Sequence, residues 1–113
     1  MERECEERLQ KIITGFQNCT GAFTAIGDQT RQQILLVLLE SDLAGIRVGE
    51  IAKKAHLTRP SASHHQQILK EAGIVAMRRE GTKNFYYLSA DETQWKELAE
   101  LTALIYTSVR YIR

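Results

Sequence analysis

The side chains whose types and spacing could do chemistry lie in residues 58–69, a run with hydroxyl, guanidinium, imidazole and amide groups. Thr58 is a good helix N-cap, and Pro60 fits the first turn, where its missing N–H costs nothing. At ~100° per residue, a helix that begins here turns one face inward. The inward residues are Ala62, His65, Gln66 and Leu69. The outer residues are Arg59, Ser63, His64 and Gln67, with Ser61 at their flank.

The outer residue types suit the edges of DNA bases and the phosphate backbone. Ser61 and Ser63 can donate to phosphates, and Arg59 can reach a phosphate or a guanine edge. His64 and Gln67 can hydrogen-bond to base edges in the major groove. Because His65 lies on the inner face, we expect it to support the helix and not to read bases.

Charge is distributed unevenly along the 113 residues. Residues 47–83 contain eight basic side chains against three acidic ones, a net charge of +5, although the whole chain carries only +1. This segment would attract a polyanion, while the remainder, at −4, would repel one. Within it, a polar turn separates two strand-like stretches that carry Arg78, Arg79 and Lys83. We expect these three to contact phosphates or the minor groove and to add salt dependence more than specificity.

The elements that must position these residues follow from apolar spacing and from Gly and Pro. The pattern predicts one domain over residues 1–113, mainly α with a small β-hairpin. Helices are expected at 2–18, 28–40, 48–56, 58–72 and 91–112, with strands at 74–79 and 84–88. Helix, turn, helix and then a basic hairpin is the order of a winged helix-turn-helix, whose second helix enters the major groove.

The first and last helices carry more apolar surface than a small domain needs to cover. In residues 1–18 the stripe consists of Cys5, Leu9, Ile12, Ile13 and Phe16, and residues 91–113 carry a second stripe from Trp95 to Ile112. Either stripe could be ordinary core. A palindromic operator requires a two-fold dimer, however, and we expect these two helices to form its interface.

Three segments together resemble the ArsR-type (ArsR/SmtB-like) repressors. They are AIGDQTRQQIL at 25–35, SASHHQQILKEAGIV at 61–75 and REGTKNFYYL at 79–88. The resemblance spans about residues 23–90 and implies a homodimeric repressor that a signal releases from operator DNA. Pro60 and Gln66 depart from the family pattern, which commonly has a polar residue and a leucine at these positions.

Many members of that family release DNA on binding a metal, through ligands that this chain lacks. Residues 47–52 contain no Cys-x-Cys, and the last helix contains no histidine. We therefore expect no metal site of either kind and no cofactor.

Cys5 and Cys19 are the remaining candidates for sensing. They lie roughly 21 Å apart along one straight helix, beyond the ~7 Å that a disulfide allows. If the first helices of two subunits run antiparallel, Cys5 of one could approach Cys19 of the other. An oxidant, a persulfide or a soft metalloid would then act on this pair. The alternative is that both are incidental thiols.

Two other classes of function are alternatives to a DNA-binding repressor. A winged helix can serve as a protein interaction module, although the basic set Arg59, Arg78, Arg79 and Lys83 argues against it. An enzyme is not expected, because no catalytic triad and no Gly-rich phosphate loop is present. The chain has no stretch of roughly 20 apolar residues and no signal-peptide order at its N-terminus, which predicts a cytoplasmic protein without membrane contact.

Overall fold

The computed structural model describes residues 2–89 and 93–110, in which five helices and one hairpin follow each other. The elements are α1 (Glu2–Ile26), α2 (Gln29–Glu40), α3 (Val48–Ala55), α4 (Arg59–Glu71), β1 (Ala76–Glu80), β2 (Lys83–Tyr87) and α5 (Trp95–Arg110). The predicted residues 91 and 92 and the predicted end of the last helix at Ile112 lie outside the described part. Within that part, no helix is long and apolar enough to cross a membrane.

Helix α1 is longer than the sequence predicts. The predicted end at residue 18 is wrong, because the helix continues through Gly21 to Ile26. Cys19, Ala22 and Ala25 on this last stretch are all buried. Their burial against the domain stabilises helical backbone at a glycine that would otherwise favour a break.

The core lies where α1, α2, α3, α4 and α5 meet. Its fully buried aliphatic side chains include Ile34, Ile51, Leu69 and Ile74, each about 0% exposed. Burial of such a side chain contributes about 1.5–3 kcal/mol, so α4 is fixed chiefly by packing. Helical spacing in residues 28–40 predicts a core face of Ile34, Leu35, Leu38 and Leu39. The prediction is wrong for Leu39, which is 61% exposed.

The turn between α3 and α4 uses three residues. His56 adopts a left-handed conformation with φ of 58°, and the Leu57 amide donates to the Ala52 carbonyl to close the end of α3. Thr58 then caps α4, since its side-chain oxygen accepts a 3.2 Å hydrogen bond from the Ser61 amide. The predicted N-cap is confirmed, and α4 begins at the next residue.

The hairpin pairs β1 with β2 in antiparallel register, from Ala76 opposite Tyr87 to Glu80 opposite Lys83. Gly81, with φ of 64°, occupies the first central position of the two-residue turn, as a type II′ turn requires. The strands begin and end within two residues of the predicted bounds. Helices α3 and α4 followed by this hairpin form a winged helix-turn-helix, which confirms the predicted fold class.

Candidate DNA-binding site

Helix α4 has one buried face and one exposed face. Ala62, Gln66 and Leu69 are at most 1% exposed, and His65 is half-buried beside them. All four were predicted to face inward, and the burial confirms it. The periodicity of a helix therefore leaves a single polar face for a ligand.

The exposed face brings together most of the predicted contacts. Arg59, Ser63, His64 and Gln67 are exposed, and Ser61 is half-buried at the start of the helix. Gln67 donates from Nε2 to Glu71 Oε1 at 3.0 Å, so its amide is held along the helix surface. The carbonyl oxygen of that amide has no part in this bond.

A second arginine lies beside Arg59 at the base of the hairpin. Arg47, which precedes α3, lines with Arg59 and Phe85 a polar cavity of about 420 Å³. Arg47 belongs to the basic segment 47–83, but the sequence pattern does not predict a contact for it. Only the fold brings the starts of α3 and α4 together at β2.

The three basic residues of the hairpin are held very differently. The Arg78 guanidinium stacks 4.8 Å from the centre of the Phe85 ring and lies 3.4 Å from a Glu80 carboxylate oxygen. Arg79 is exposed and donates to the Gly81 carbonyl at 2.9 Å, and Lys83 is exposed. Arg79 and Lys83 thus present their charge to solvent, while Arg78 is packed into the hairpin.

Gln66 is buried without hydrogen bonds. Its residue is 1% exposed, and among the described residues neither its amide nitrogen nor its amide oxygen has a partner. An unsatisfied buried amide costs about 1–3 kcal/mol. This position is the one at which the sequence departs from the family leucine, and the departure lowers the stability of the helix that carries the outer face.

Arg31 also belongs to this region, although the sequence pattern does not predict it. Its guanidinium donates to the Ala25 carbonyl at 2.6 Å and approaches His65 Nδ1 at 3.2 Å. A cation is unfavourable in the first turn of a helix, because the positive end of the helix dipole lies there. Arg31 lies three residues after the N-cap of α2, in this unfavourable first turn. That position in the sequence indicates that its side chain has a specific hydrogen-bond acceptor.

Asp28 caps the same helix. Its carboxylate accepts a 3.0 Å hydrogen bond from the Arg31 amide. The residue type and its place at the predicted start of the helix already predict this cap. This hydrogen bond, with a smaller contribution from the Arg31 charge, lowers the pKa of Asp28 below its ordinary value. The carboxylate therefore remains ionised wherever the protein is near neutral pH.

The two cysteines differ in access. Cys5 is exposed near the start of α1, whereas Cys19 is about 1% exposed in the core. Burial, and to a lesser degree the negative charge of Glu97, raises the pKa of the Cys19 thiol. Cys19 is therefore the less reactive thiol. Within residues 2–89 and 93–110, no three His, Cys, Asp or Glu side chains are grouped to hold a metal ion.

Helix-turn-helix, an exposed polar helix face and a basic hairpin define a class, the winged helix-turn-helix DNA-binding domains. A model for bacterial regulatory proteins of the arsR family matches residues 28–76. The chain belongs to this family, and it is a DNA-binding transcriptional regulator.

Individual relatives agree with that assignment. The chain is 41% identical over 86 residues to an uncharacterized HTH-type transcriptional regulator, MJ1325, of Methanocaldococcus jannaschii, covering 76% of this chain and 92% of that protein. It is 38% identical over 72 residues to the transcriptional repressor SdpR of Bacillus subtilis, covering 64% and 77%. Among solved structures, a homodimeric winged helix-turn-helix domain of Mb0332 from Mycobacterium bovis has a TM-score of 0.56 at 19% identity, covering 100% of this chain and 89% of that one.

Proposed function

We propose that the protein is a cytoplasmic homodimeric repressor that binds a palindromic operator and leaves it in response to a signal. The observation that carries this proposal is the contrast between the two faces of α4. Ala62 and Leu69 are fully buried, whereas Ser63 and His64 are exposed. A helix held this firmly by one face presents the other at a fixed angle, as readout of base edges requires.

In this proposal, α4 enters the major groove and the hairpin lies along the backbone. His64 and Gln67 contact base edges, and Ser61 and Ser63 donate to phosphates. Arg59 reaches a guanine or a phosphate. Arg79 and Lys83 contact backbone phosphates from the hairpin. Arg78 contributes mainly to the field around the hairpin, because Phe85 and Glu80 already engage its guanidinium.

The N-terminal half of α1 supports the proposed dimer. Leu9, Ile13 and Phe16 lie on one stripe and are 57%, 40% and 47% exposed, and the first buried residue of α1 is Cys19. A helix of this length, about 37 Å at 1.5 Å per residue, needs a second surface to cover such a stripe. Within the described residues, α5 packs against α1 but leaves these three side chains exposed.

Helix α5 continues that uncovered surface. Tyr106 and Val109 are exposed on it, and Val109 lines with Leu9 and Phe16 an apolar groove of about 350 Å³ between α1 and α5. A second copy that inserts its own α1 would cover both helices through an isologous contact. The solved domain of Mb0332, which shares this fold, is described as homodimeric.

The proposed roles of α4 and the hairpin predict different losses. His64→Ala should lower affinity for the operator by ~1–3 kcal/mol and should remove the preference at one base pair, because a base contact is lost. Lys83→Ala should weaken operator and random DNA about equally and reduce the salt slope by about 1, because a phosphate contact is lost. Gel shifts of both variants on operator and random duplexes over a salt series measure these losses of affinity and the salt slope.

The two variants serve as each other's control, since both residues are exposed and neither is part of the core. Equal loss on operator and random DNA for His64→Ala would remove it from base readout. Binding of the unaltered protein that does not weaken with salt would contradict the electrostatic part of the proposal and would favour a protein interaction module.

The thiol hypothesis is a proposal about the signal. The accessible thiol is Cys5, which lines the apolar groove between α1 and α5, so its modification would act at the proposed dimer interface. Repeating the same gel shifts with and without a reductant tests the thiol hypothesis. A Cys5→Ser, Cys19→Ser variant that keeps the operator response to oxidants would end the hypothesis.

A further inference from the structure

The Arg31 side chain joins two helices that have different tasks in the proposed function. Its Nε donates to the Ala25 carbonyl at 2.6 Å, and its Nη2 donates to the Thr24 carbonyl at 3.3 Å. Both acceptors lie in the last turn of α1. The remaining nitrogen, Nη1, lies 3.2 Å from Nδ1 of His65 on α4.

The direction of the contact with α4 follows from the chemistry of the two groups. A guanidinium has five N–H donors and no acceptor, so in this contact Arg31 donates and His65 Nδ1 accepts. Asp28 Oδ2 lies 4.0 Å from the same Nδ1 atom, too far for a hydrogen bond. The position of His65 is therefore fixed from α2 by Arg31.

His65 is the inner neighbour of the proposed base-reading residue. It follows His64 directly in α4, and the two imidazoles pack edge to face with ring centres 5.4 Å apart. Because the two residues are consecutive on one helix, a displacement of α4 at His65 also displaces His64. Arg31 is half-buried, and the side chain of α4 that it contacts is the half-buried His65, whereas Ser63 and His64 are exposed.

We propose that Arg31 is a positioning residue for operator recognition, which sets the angle between the reading helix α4 and the dimerisation helix α1. The inference rests on the proposed function, because α1 links the two reading helices only in a dimer. In that dimer, the angle between α1 and α4 within each subunit determines the distance between the two α4 helices. Arg31 thereby contributes to the choice of half-site spacing, which is about one helical turn, roughly 34 Å.

The side chain suits this task because its donors form a rigid planar fork. A lysine keeps the charge but offers one compact ammonium, which cannot bridge carbonyls of α1 and an imidazole of α4 in a fixed geometry. Arg31→Lys is therefore the informative substitution. Its neighbour Gln32 is the matched control, because Gln32 Nε2 donates to the Ile26 carbonyl of α1 at 2.8 Å and has no hydrogen bond to α4.

The experiment measures binding of dimeric protein to the operator, to random DNA and to operators whose half-sites are moved by one or two base pairs. We expect Arg31→Lys to bind the operator about tenfold more weakly, as expected when a good base contact is misplaced. Affinity for random DNA and the salt slope should stay unchanged, and discrimination between half-site spacings should decrease. Gln32→Ala should stay within about twofold of the unaltered protein on every duplex.

A second set of variants tests whether Arg31 acts through His65. In a double-mutant cycle of Arg31→Lys with His65→Ala, the two losses on operator DNA should be far from additive, because both remove the same contact. Additive losses would overturn the inference. Equal weakening of Arg31→Lys on operator and random DNA, or a loss matched by Gln32→Ala, would also overturn it by pointing to a general fold defect.

The failure of this inference can be told apart from failure of the proposed function. If the unaltered protein is monomeric or does not prefer its operator, the proposed function fails, and the inference fails with it. If the unaltered protein behaves as proposed and Arg31→Lys keeps its spacing preference, only the positioning role is wrong. A salt slope reduced by about 1 in Arg31→Lys would assign Arg31 to a phosphate contact instead.

Discussion

A protein in which glutamate replaces Leu9 should sediment as a monomer and should bind operator DNA at least about 100-fold more weakly. Leu9 is 57% exposed on the α1 stripe and lines the groove between α1 and α5. A carboxylate there would have to be desolvated in the proposed interface, which is strongly unfavourable. A monomer contacts only one half-site. It therefore lacks the gain in affinity that a dimer obtains by binding two half-sites at once.

Leu43→Glu is the matched control for that substitution. Leu43 is 77% exposed between α2 and α3 and lies outside the α1 and α5 surface. This variant should remain dimeric and should bind the operator as the unaltered protein does. Sedimentation and gel shifts on the same preparations measure both properties. A Leu9→Glu protein that stays dimeric would place the interface elsewhere.

Gln66→Leu should make the protein more stable by about 1–3 kcal/mol. The native amide is buried without a hydrogen-bond partner among the described residues, and leucine is an apolar side chain of similar size. Replacing the amide removes its desolvation cost and adds apolar burial between α4 and the core. Urea unfolding at one fixed protein concentration measures the change, because the stability of a dimer depends on concentration.

Gln67→Leu controls for the change of residue type. Gln67 is the next residue of α4 but is exposed, so its replacement should change the free energy of unfolding by no more than about 0.5 kcal/mol. A Gln66→Leu protein that is less stable than the unaltered one would show that the amide is satisfied in solution. The Gln66 side chain would then have a hydrogen-bond partner, and its difference from the family leucine would not lower the stability of the protein.

The sequence predicts the local elements well where side-chain chemistry decides them. Asp28 and Thr58 cap α2 and α4 because their oxygens accept from amides three residues later, a short-range interaction visible in the sequence. Gly81 similarly specifies the turn of the hairpin. The end of α1 could not be predicted in this way, because burial of Cys19 and Ala22 against other helices overrides the local effect of Gly21.

The candidate site likewise has some features that the sequence predicts and others that only the fold determines. The outer face of α4 follows from helical periodicity, so the exposed positions of Ser63 and His64 agree with the prediction. The engagement of Arg78 by Phe85 depends on strand register, which residue types alone do not fix. The contact between Arg31 and His65 joins residues 34 apart in the chain, and only the packed fold brings them together.

Protection of guanine N7 from methylation tests most directly the claim that α4 reads DNA. N7 lies in the major groove, where the proposal places Ser63 and His64. Bound protein should protect guanines in two patches whose centres lie about one helical turn, roughly 34 Å, apart. His64→Ala should restore methylation at one position in each patch. Guanines that remain fully reactive under saturating protein would contradict the account, because no helix would then occupy the major groove.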